Sequence, residues 1–362
     1  MDNSTRRPRA IIKINGEVVT GLIDLEVDQN SYYQADTFHL IFALQDKAAW
    51  WSEQSSVLVD VVAGFLNEKD ELVDTKQLIY GKADDITINL VETTVEVSGR
   101  DLTSEFIDAK TSEKFQNLTS SQIVEVLAKR RGLTPVVVPT NTKAGTYYEI
   151  DHSRLASDKS EWDLLTWLAH EENYTVFVRG AQLFFQPKPE VTDSPYILQW
   201  VAPTNEVGHP VLNGKSISFS RNLTLAKDVI VTVRSWNSKQ GKGFTKTVQA
   251  THNKNTVLSG AAQPTGEAQT YAYTIPGLTA EQTLQKAQTL LREITAHEVN
   301  LTCSMPADHN VDTTKVIKVI GTGTKFDQVY FPKSIISRMN MNEGYIMNIT
   351  ATNHSPESET IV

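Results

Sequence analysis

The sequence predicts a mainly β fold with an α+β insert, in which two related small β-barrels are joined by helix-hairpin domains. Three observations predict it. Short alternating segments bounded by turn residues fill residues 10 to about 100. Helical periodicity replaces them over about 101 to 200, and strands resume from about 205. Finally, a strand–turn–strand near the end of the first block lies without a gap over one near the C-terminus.

In the first block, AIIKINGEVV is expected to form a hairpin around Asn15-Gly16. LIDLEV, TFHLIFAL, SVLVDVVAGF, QLIYGKADDITINL and TTVEVSG read as further strands, and such spacing predicts a small barrel or sandwich. Residues 1–100 form this first domain. TVEVS alternates as a half-buried strand, and Gly99 is expected to end it, with Arg100 and Asp101 at the break.

The insert, 101–200, carries NLTSSQIVEVLAKRRGL from Asn117. Thr119 followed by Gln122 predicts a capped helix start; Ile123, Val124 and Leu127 form its apolar face, and Gly132 stops it. In SEWDLLTWLAHEENY, Ser160 and Asp163 predict a second cap ahead of a wide stripe of Trp162, Leu164, Leu165, Trp167 and Leu168. A hairpin then turns at Arg179-Gly180 between YTVFV and QLFFQP.

The third domain, 201–362, contains KSISFS, KDVIVTVRSW, KSIISRMNM and GYIMNITATNH as strands. Thr279 and Gln282 cap a helix whose Leu284, Ala287, Leu291 and Ile294 face one way. Residues 237–275 are polar and Gly/Thr/Gln-rich, which predicts long loops or an extended arm.

The two strand-rich blocks read as a duplication. IYGKADDITINLVETTVEV lies over YFPKSIISRMNMNEGYIMNI, bringing Lys82 to Lys333, Asn89 to Asn340, Glu92 to Glu343, and Ile88 and Leu90 to Met339 and Met341. NSYYQADTFHLIFAL lies over NLTLAKDVIVTVRSW, pairing Asn30 with Asn222 and Asp36 with Asp228.

Composition narrows the function. At 362 residues more than one core is expected. A formal net charge of −9, from 34 Lys plus Arg and 43 Asp plus Glu, argues against tight phosphate-backbone binding. Cys303 is the only cysteine, which rules out an intrachain disulfide and a Cys-rich zinc site. The N-terminal MDNSTRRPRAIIKING has no apolar run suited to a signal peptide, and no stretch approaches the ~20 apolar residues of a membrane span. The expectation is therefore a chain folded in a cytoplasm without a membrane anchor, with the NLT triplets at Asn117, Asn222 and Asn300 serving turns and caps.

Motifs for chemistry are weak. His170, Glu171 and Glu172 end a helix without the second histidine of a metalloprotease motif, and His297 and Glu298 end another. GTGTKF at Gly321 reads as a hairpin turn, not a phosphate loop, and there is no Gly-x-Ser-x-Gly elbow. Asp84-Asp85 and the Glu68, Asp70, Glu71 cluster read as solvated turns. Trp50-Trp51 has two readings: one indole in a core with the other as an interface anchor, or both packed in a core. No catalytic, cofactor-binding or metal-binding residue is assigned and no enzyme activity is expected.

The ordered series VEVSGRDLTSEFIDAK, NLTSSQIVEVLAKRRGL and SEWDLLTWLAHEENYTVFVRGAQLFFQPK resembles the baseplate hub proteins of contractile phage tails. The likeness is to the Mu-like hub, the wider late-control-D family and the N-terminal half of type VI secretion spike proteins. The sharp motifs cover about residues 80 to 190, and the remainder matches by pattern. The resemblance implies a homotrimeric ring in which each chain supplies two tail-tube-like barrels, giving six units to match a hexameric tube above a trimeric spike.

Implied partners are the tail tube or tube-initiator protein, the central spike protein and other baseplate proteins, in a virion tail assembled in the bacterial host cytoplasm. Genomic DNA would pass through the lumen without specific binding during viral genome ejection. The chain ends at NHSPESETIV, so the resemblance implies that the spike is another polypeptide. Within it, Gly99 would turn the backbone out of the barrel, and Arg100 and Asp101 would satisfy polar groups at that corner. Readings from other classes are a tail-associated peptidoglycan hydrolase and a carbohydrate-binding module using Trp50, Trp51 or Trp200.

Overall fold

The computed structural model describes residues 6–31, 33–111, 113, 115, 118–141, 159–187, 194–203, 209–221, 229–238, 241–252, 269–295, 299–353 and 358–361. Its secondary structure is mainly β. The chain divides into two units: Met1–Asp193 with Ser304–Thr314 and Lys333–Ile349, and Ser194–Cys303 with Lys315–Pro332 and Thr350–Val362.

The first unit begins with strands β1 (Arg7–Ile14), β2 (Glu17–Val19), β3 (Leu22–Asn30) and β4 (Thr37–Ala43), and a short helix α1 (Ala48–Ser52). They are followed by β5 (Leu58–Leu66), β6 (Leu72–Asn89) and β7 (Thr94–Asp101). All neighbours along the order β3-β4-β7-β6-β5-β1-β2 are antiparallel. Alternation decides the inner face: Phe38, Leu40 and Phe42 of β4 and Val95 and Val97 of β7 are buried. Asn15-Gly16 makes the expected tight turn, with Ile14 opposite Glu17 and positive φ at both turn residues.

Gly99 does not end its strand. It stays in the β7 ladder opposite Phe38 and Ala83, and β7 continues through Asp101. Its glycine identity follows from a close approach: a Cβ would lie 2.1 Å from the Lys82 carbonyl oxygen and 2.8 Å from Phe38 Cζ. Nor is Asp84 in a turn, because it is the extra residue of a β-bulge where the register passes from Ala83–Gly99 to Asp85–Ser98. Period-2 reading misses a bulge because the inserted residue has no partner of its own.

The insert comprises α2 (Ser104–Ile107), β8 (Lys110–Thr111), α3 (Ser120–Arg130), β9 (Thr134–Val137), β10 (Lys159–Ser160), α4 (Glu161–Glu172), β11 (Tyr174–Arg179) and β12 (Gln182–Pro187). Both predicted capping boxes form, Thr119 with Gln122 and Ser160 with Asp163. Asn173, left-handed at φ 56°, terminates α4. One apolar core unites Phe106, Ile123, Leu127, Leu165, Val176 and Phe185.

In the second unit and the segments shared with the first lie β13 (Tyr196–Val201), β14 (Val211–Leu212), β15 (Ser216–Arg221), β16 (Val229–Asn237), β17 (Lys242–His252) and β18 (Gln269–Thr274). Helix α5 (Ala280–Thr295) follows, then β19 (Val299–Pro306), β20 (Ile317–Ile320), β21 (Val329–Asn340), β22 (Gly344–Thr352) and β23 (Ser358–Ile361). The Thr279–Gln282 cap forms, and Leu284, Ala287, Leu291 and Ile294 pack against β16 to β18.

The predicted arm over 237–275 is in part a sheet. Strands β17 and β18 flank β16, and β23 adds to β17. Their polar composition hid them, since backbone pairing with β16 needs few apolar side chains when one face is solvated. Asn300 lies within β19 and serves no turn. Asn117, Asn222, Asp228, His297 and Glu298 fall outside the described residues.

Followed by pairing alone, the strands trace the same path twice. The first is β2-β1-β5-β6-β7-β4-β3 and the second is β14-β13-β20-β21-β22-β19-β15. The β1–β5 pair is antiparallel, whereas the corresponding β13–β20 pair is parallel. The hairpin overlay is matched in detail. Asn89 Oδ1 accepts from the amides of Val91 and Glu92, and Asn340 Oδ1 from those of Asn342 and Glu343. Thr93 and Gly344 then share positive φ, 54° and 74°.

The second overlay is corrected, because the strand standing where β4 stands in the first path is β19, whereas β16 lies in the separate four-stranded sheet. An alternating valine pattern marks any half-buried strand and does not identify its place. The predicted barrels are also not closed by strand pairing among the described residues: β3, the last strand of the first path, pairs onward with β21.

Gly99→Ala is expected to destabilise the protein by roughly 1–3 kcal/mol through overpacking of the β6–β7 ladder. An unchanged urea midpoint would show that the ladder spreads freely at this point.

Candidate functional site

The residues singled out by sequence converge where β7 hands the chain to the insert. Val95, Val97, Gly99 and Asp101 occupy successive inward positions of β7, so strand parity alone carries the Asp101 carboxylate into the interior. Its Oδ1 accepts from the Thr103 amide at 3.1 Å and its Oδ2 from the Thr103 hydroxyl at 2.9 Å. The Asp101 amide donates to the carbonyl of Asp36 at 2.9 Å, and Asp36 Oδ1 accepts from the Asn30 amide at 2.7 Å.

Burial, followed by repulsion from Asp36, pushes the Asp101 carboxyl well above the usual range. Burial pushes Asp36 up to about 7, against the pull of the Asn30 amide and Arg179. Asp28 is raised as well, by burial and then by Glu26.

Arg100 points to the other face. Its Nε and Nη2 donate to both oxygens of Asp84 at 2.8 Å, and Nη1 and Nη2 reach Asp108 at 3.2 and 3.1 Å. Lys82, its neighbour across the ladder, pairs with Glu105 of α2. Arg100 therefore clamps the bulge to the chain leaving α2, a tie made of charge-assisted bonds.

Residues that sequence reasoning passed over contribute as much. The Tyr33 amide donates to Val176 O at 3.1 Å and its hydroxyl to Tyr174 O at 2.6 Å. Its carbonyl accepts from Trp162 Nε1 at 2.9 Å, and its ring stacks on His170 with centroids 4.4 Å apart. His170 thus ends its helix against an aromatic ring. Glu161 is buried, its two oxygens taken by Arg131 Nε and Nη2 at 2.8 Å.

Asp312 accepts from Arg179 at 2.9 Å and lies 3.4 Å from Lys76 Nζ. Burial alone would raise it, but Arg179, Lys76 and two Thr314 bonds outweigh burial and hold it well below the usual carboxylate range. No motif marks these three ties, because their members are 30 or more residues apart in sequence.

The other candidates are accounted for locally. Trp51 is buried against Phe42, and Trp50 meets it edge-on at 4.8 Å while staying half-buried under Lys47. Trp200 is half-buried on β13. Glu68, Asp70 and Glu71 are exposed in the β5–β6 turn. Asp327 organises the Gly321 turn by accepting from Thr322 and Gly323. Among the described residues, no group of three or more His, Cys, Asp or Glu could hold a metal ion, and no helix is long and apolar enough to cross a membrane.

No family model matches the sequence, and no curated protein does. Solved structures do match in fold. A tail protein from Neisseria meningitidis MC58 superposes with TM-score 0.70 at 13% identity, covering 97% of this chain and 99% of that one. The 43 kDa tail protein of prophage MuSo2 from Shewanella oneidensis gives 0.68 at 15%, covering 97% and 100%. A chain of the Francisella PdpA–VgrG complex gives 0.53 at 9%, covering 97% of this chain and 58% of that one.

The acid pair has a pH signature. A carboxyl raised in the folded state holds a proton that the unfolded chain has already lost, so stability falls as pH rises from about 4, the unfolded aspartate value, through about 7. Asp312, depressed, works oppositely and its contribution is lost as pH falls below about 4. Asp36→Asn keeps an acceptor for the Asn30 amide and removes the titration. The decline in urea midpoint between pH 5 and 8 is expected to shrink in this variant, and an unaltered decline would place its cause elsewhere.

Proposed function

We propose that this chain is a structural baseplate hub of a contractile phage tail, joining a hexameric tail tube to a trimeric central spike. In this reading three copies close into a ring, each giving residues 1–100 and 201–362 as two tube-like modules with the 101–200 insert between them. Six related modules then face the tube, and the lumen is the channel for genome passage in the virion.

One observation carries the reading: the same seven-strand path occurs twice in one chain, with matching Asn-capped hairpins. A trimer of such a chain offers sixfold features to one partner and threefold features to another, which is what a joint between a hexamer and a trimer requires. The whole-length likeness to two tail proteins supports it. So does the net charge of −9, since a lumen that attracted phosphates would retain the genome. The charged clusters are engaged in ties between segments, and the reading assigns no catalytic, cofactor or metal role to any residue.

A cryo-EM map of the assembled tail tests it. Three copies around the axis presenting six related modules are expected, and any other copy number overturns the reading. In a cell-wall release assay the repurified protein is expected to give no turnover. Duplex DNA at physiological salt should bind no tighter than about 10⁻⁶ M, and a tighter complex would contradict a passive lumen.

A further inference from the structure

The two matched hairpins end in apolar side chains that no turn requires. Leu90 is 71% exposed, Val91 92% and Met341 94%. Isolated exposed apolar residues are ordinary on a protein surface. Here they recur at equivalent places, since Leu90 and Met341 each follow the capping asparagine directly. The backbone of both tips is already held by that asparagine and by the positive φ at Thr93 and Gly344, so polar residues would serve the turn equally well. Glu92 and Glu343 complete each tip and are exposed too.

Strand directions and register place both tips at one end of the first unit. β21, β3, β4, β7 and β6 are successive antiparallel neighbours, so β21 and β6 run the same way. Asn340 is level with Asp24, Ile41, Glu96 and Thr87 in turn, two residues short of Asn89. The roots of the tips are therefore four strand steps apart, about 19 Å along the sheet, and offset by about 7 Å along the strands.

We infer that the two tips are a paired docking element for a ring of identical protein subunits, each tip entering the same kind of socket on successive subunits. The repeated strand path argues for that occupant: two equivalent plugs on one face fit two equivalent sockets, which a ring of identical subunits presents. Leu90 and Met341 fill an apolar recess, and Glu92 and Glu343 require a lysine or arginine at its rim. Binding through both tips gains from effective concentration, so each is worth far more than its own contact.

The inference rests on the hub reading, and the probe is the purified ring-forming tail-tube protein of the same virus. Its binding is measured for the full-length chain and for Leu90→Asp, Met341→Asp, the double variant, and Val18→Asp. Val18 is an exposed apolar residue on the edge strand β2. Each single tip variant is expected to weaken binding about a hundredfold with an unchanged melting temperature, and the double variant to abolish it. Val18→Asp should bind like the unmodified chain. Unmodified protein that binds while the tip variants bind equally well, or loss confined to one tip, overturns the paired-tip inference and leaves the hub reading standing. No binding by the unmodified protein overturns both.

Discussion

Tyr33 and Asp36, between β3 and β4, hold the inserted helices and hairpin on the sheet. Tyr33 uses its amide, hydroxyl, carbonyl and ring on four groups of the insert: Val176, Tyr174, Trp162 and His170. Asp36, three residues on, accepts the Asp101 amide through its carbonyl where β7 leaves the sheet. Exit and docking are thereby governed by one short loop. The constraint is strict because Trp162 is buried, and an indole N–H removed from water needs an acceptor.

The two strand paths share their order and differ in their connections. The first path has a short β3–β4 connection, and its Tyr33 contacts the insert. The corresponding connection of the second path, from β15 to β19, contains β16, β17, β18 and α5, which have a core of their own. The hairpins have matching caps while the strand connections differ. Hairpin geometry is determined locally by one asparagine and one left-handed residue, whereas a connection answers to whatever it packs against.

Charge in this molecule is spent on joining segments. Arg100 ties a bulge to the chain after α2, Arg131 satisfies Glu161 at the start of α4, and Arg179 with Lys76 holds Asp312. Each carboxylate with a cationic partner is satisfied by it. Asp36 and Asp101, where burial outweighs any favourable partner, are raised instead.

By itself the sequence determined whatever rests on neighbours within a few positions: strand alternation, the three helix caps, the Asn15-Gly16 and Gly321 turns, and the twin hairpins. Local hydrogen bonds and side-chain parity decide these, and both are written in consecutive residues. Tertiary structure alone decided that Gly99 marks a close approach within β7, that Asp84 is a bulge, and that β17 and β18 belong to a sheet. It also decided that β19 takes in the second path the place that β4 holds in the first, and that Tyr33, Glu161 and Asp312 are anchors. These depend on which distant segment lies alongside, and a contact across 30 to 300 residues leaves no periodicity for a single chain to display.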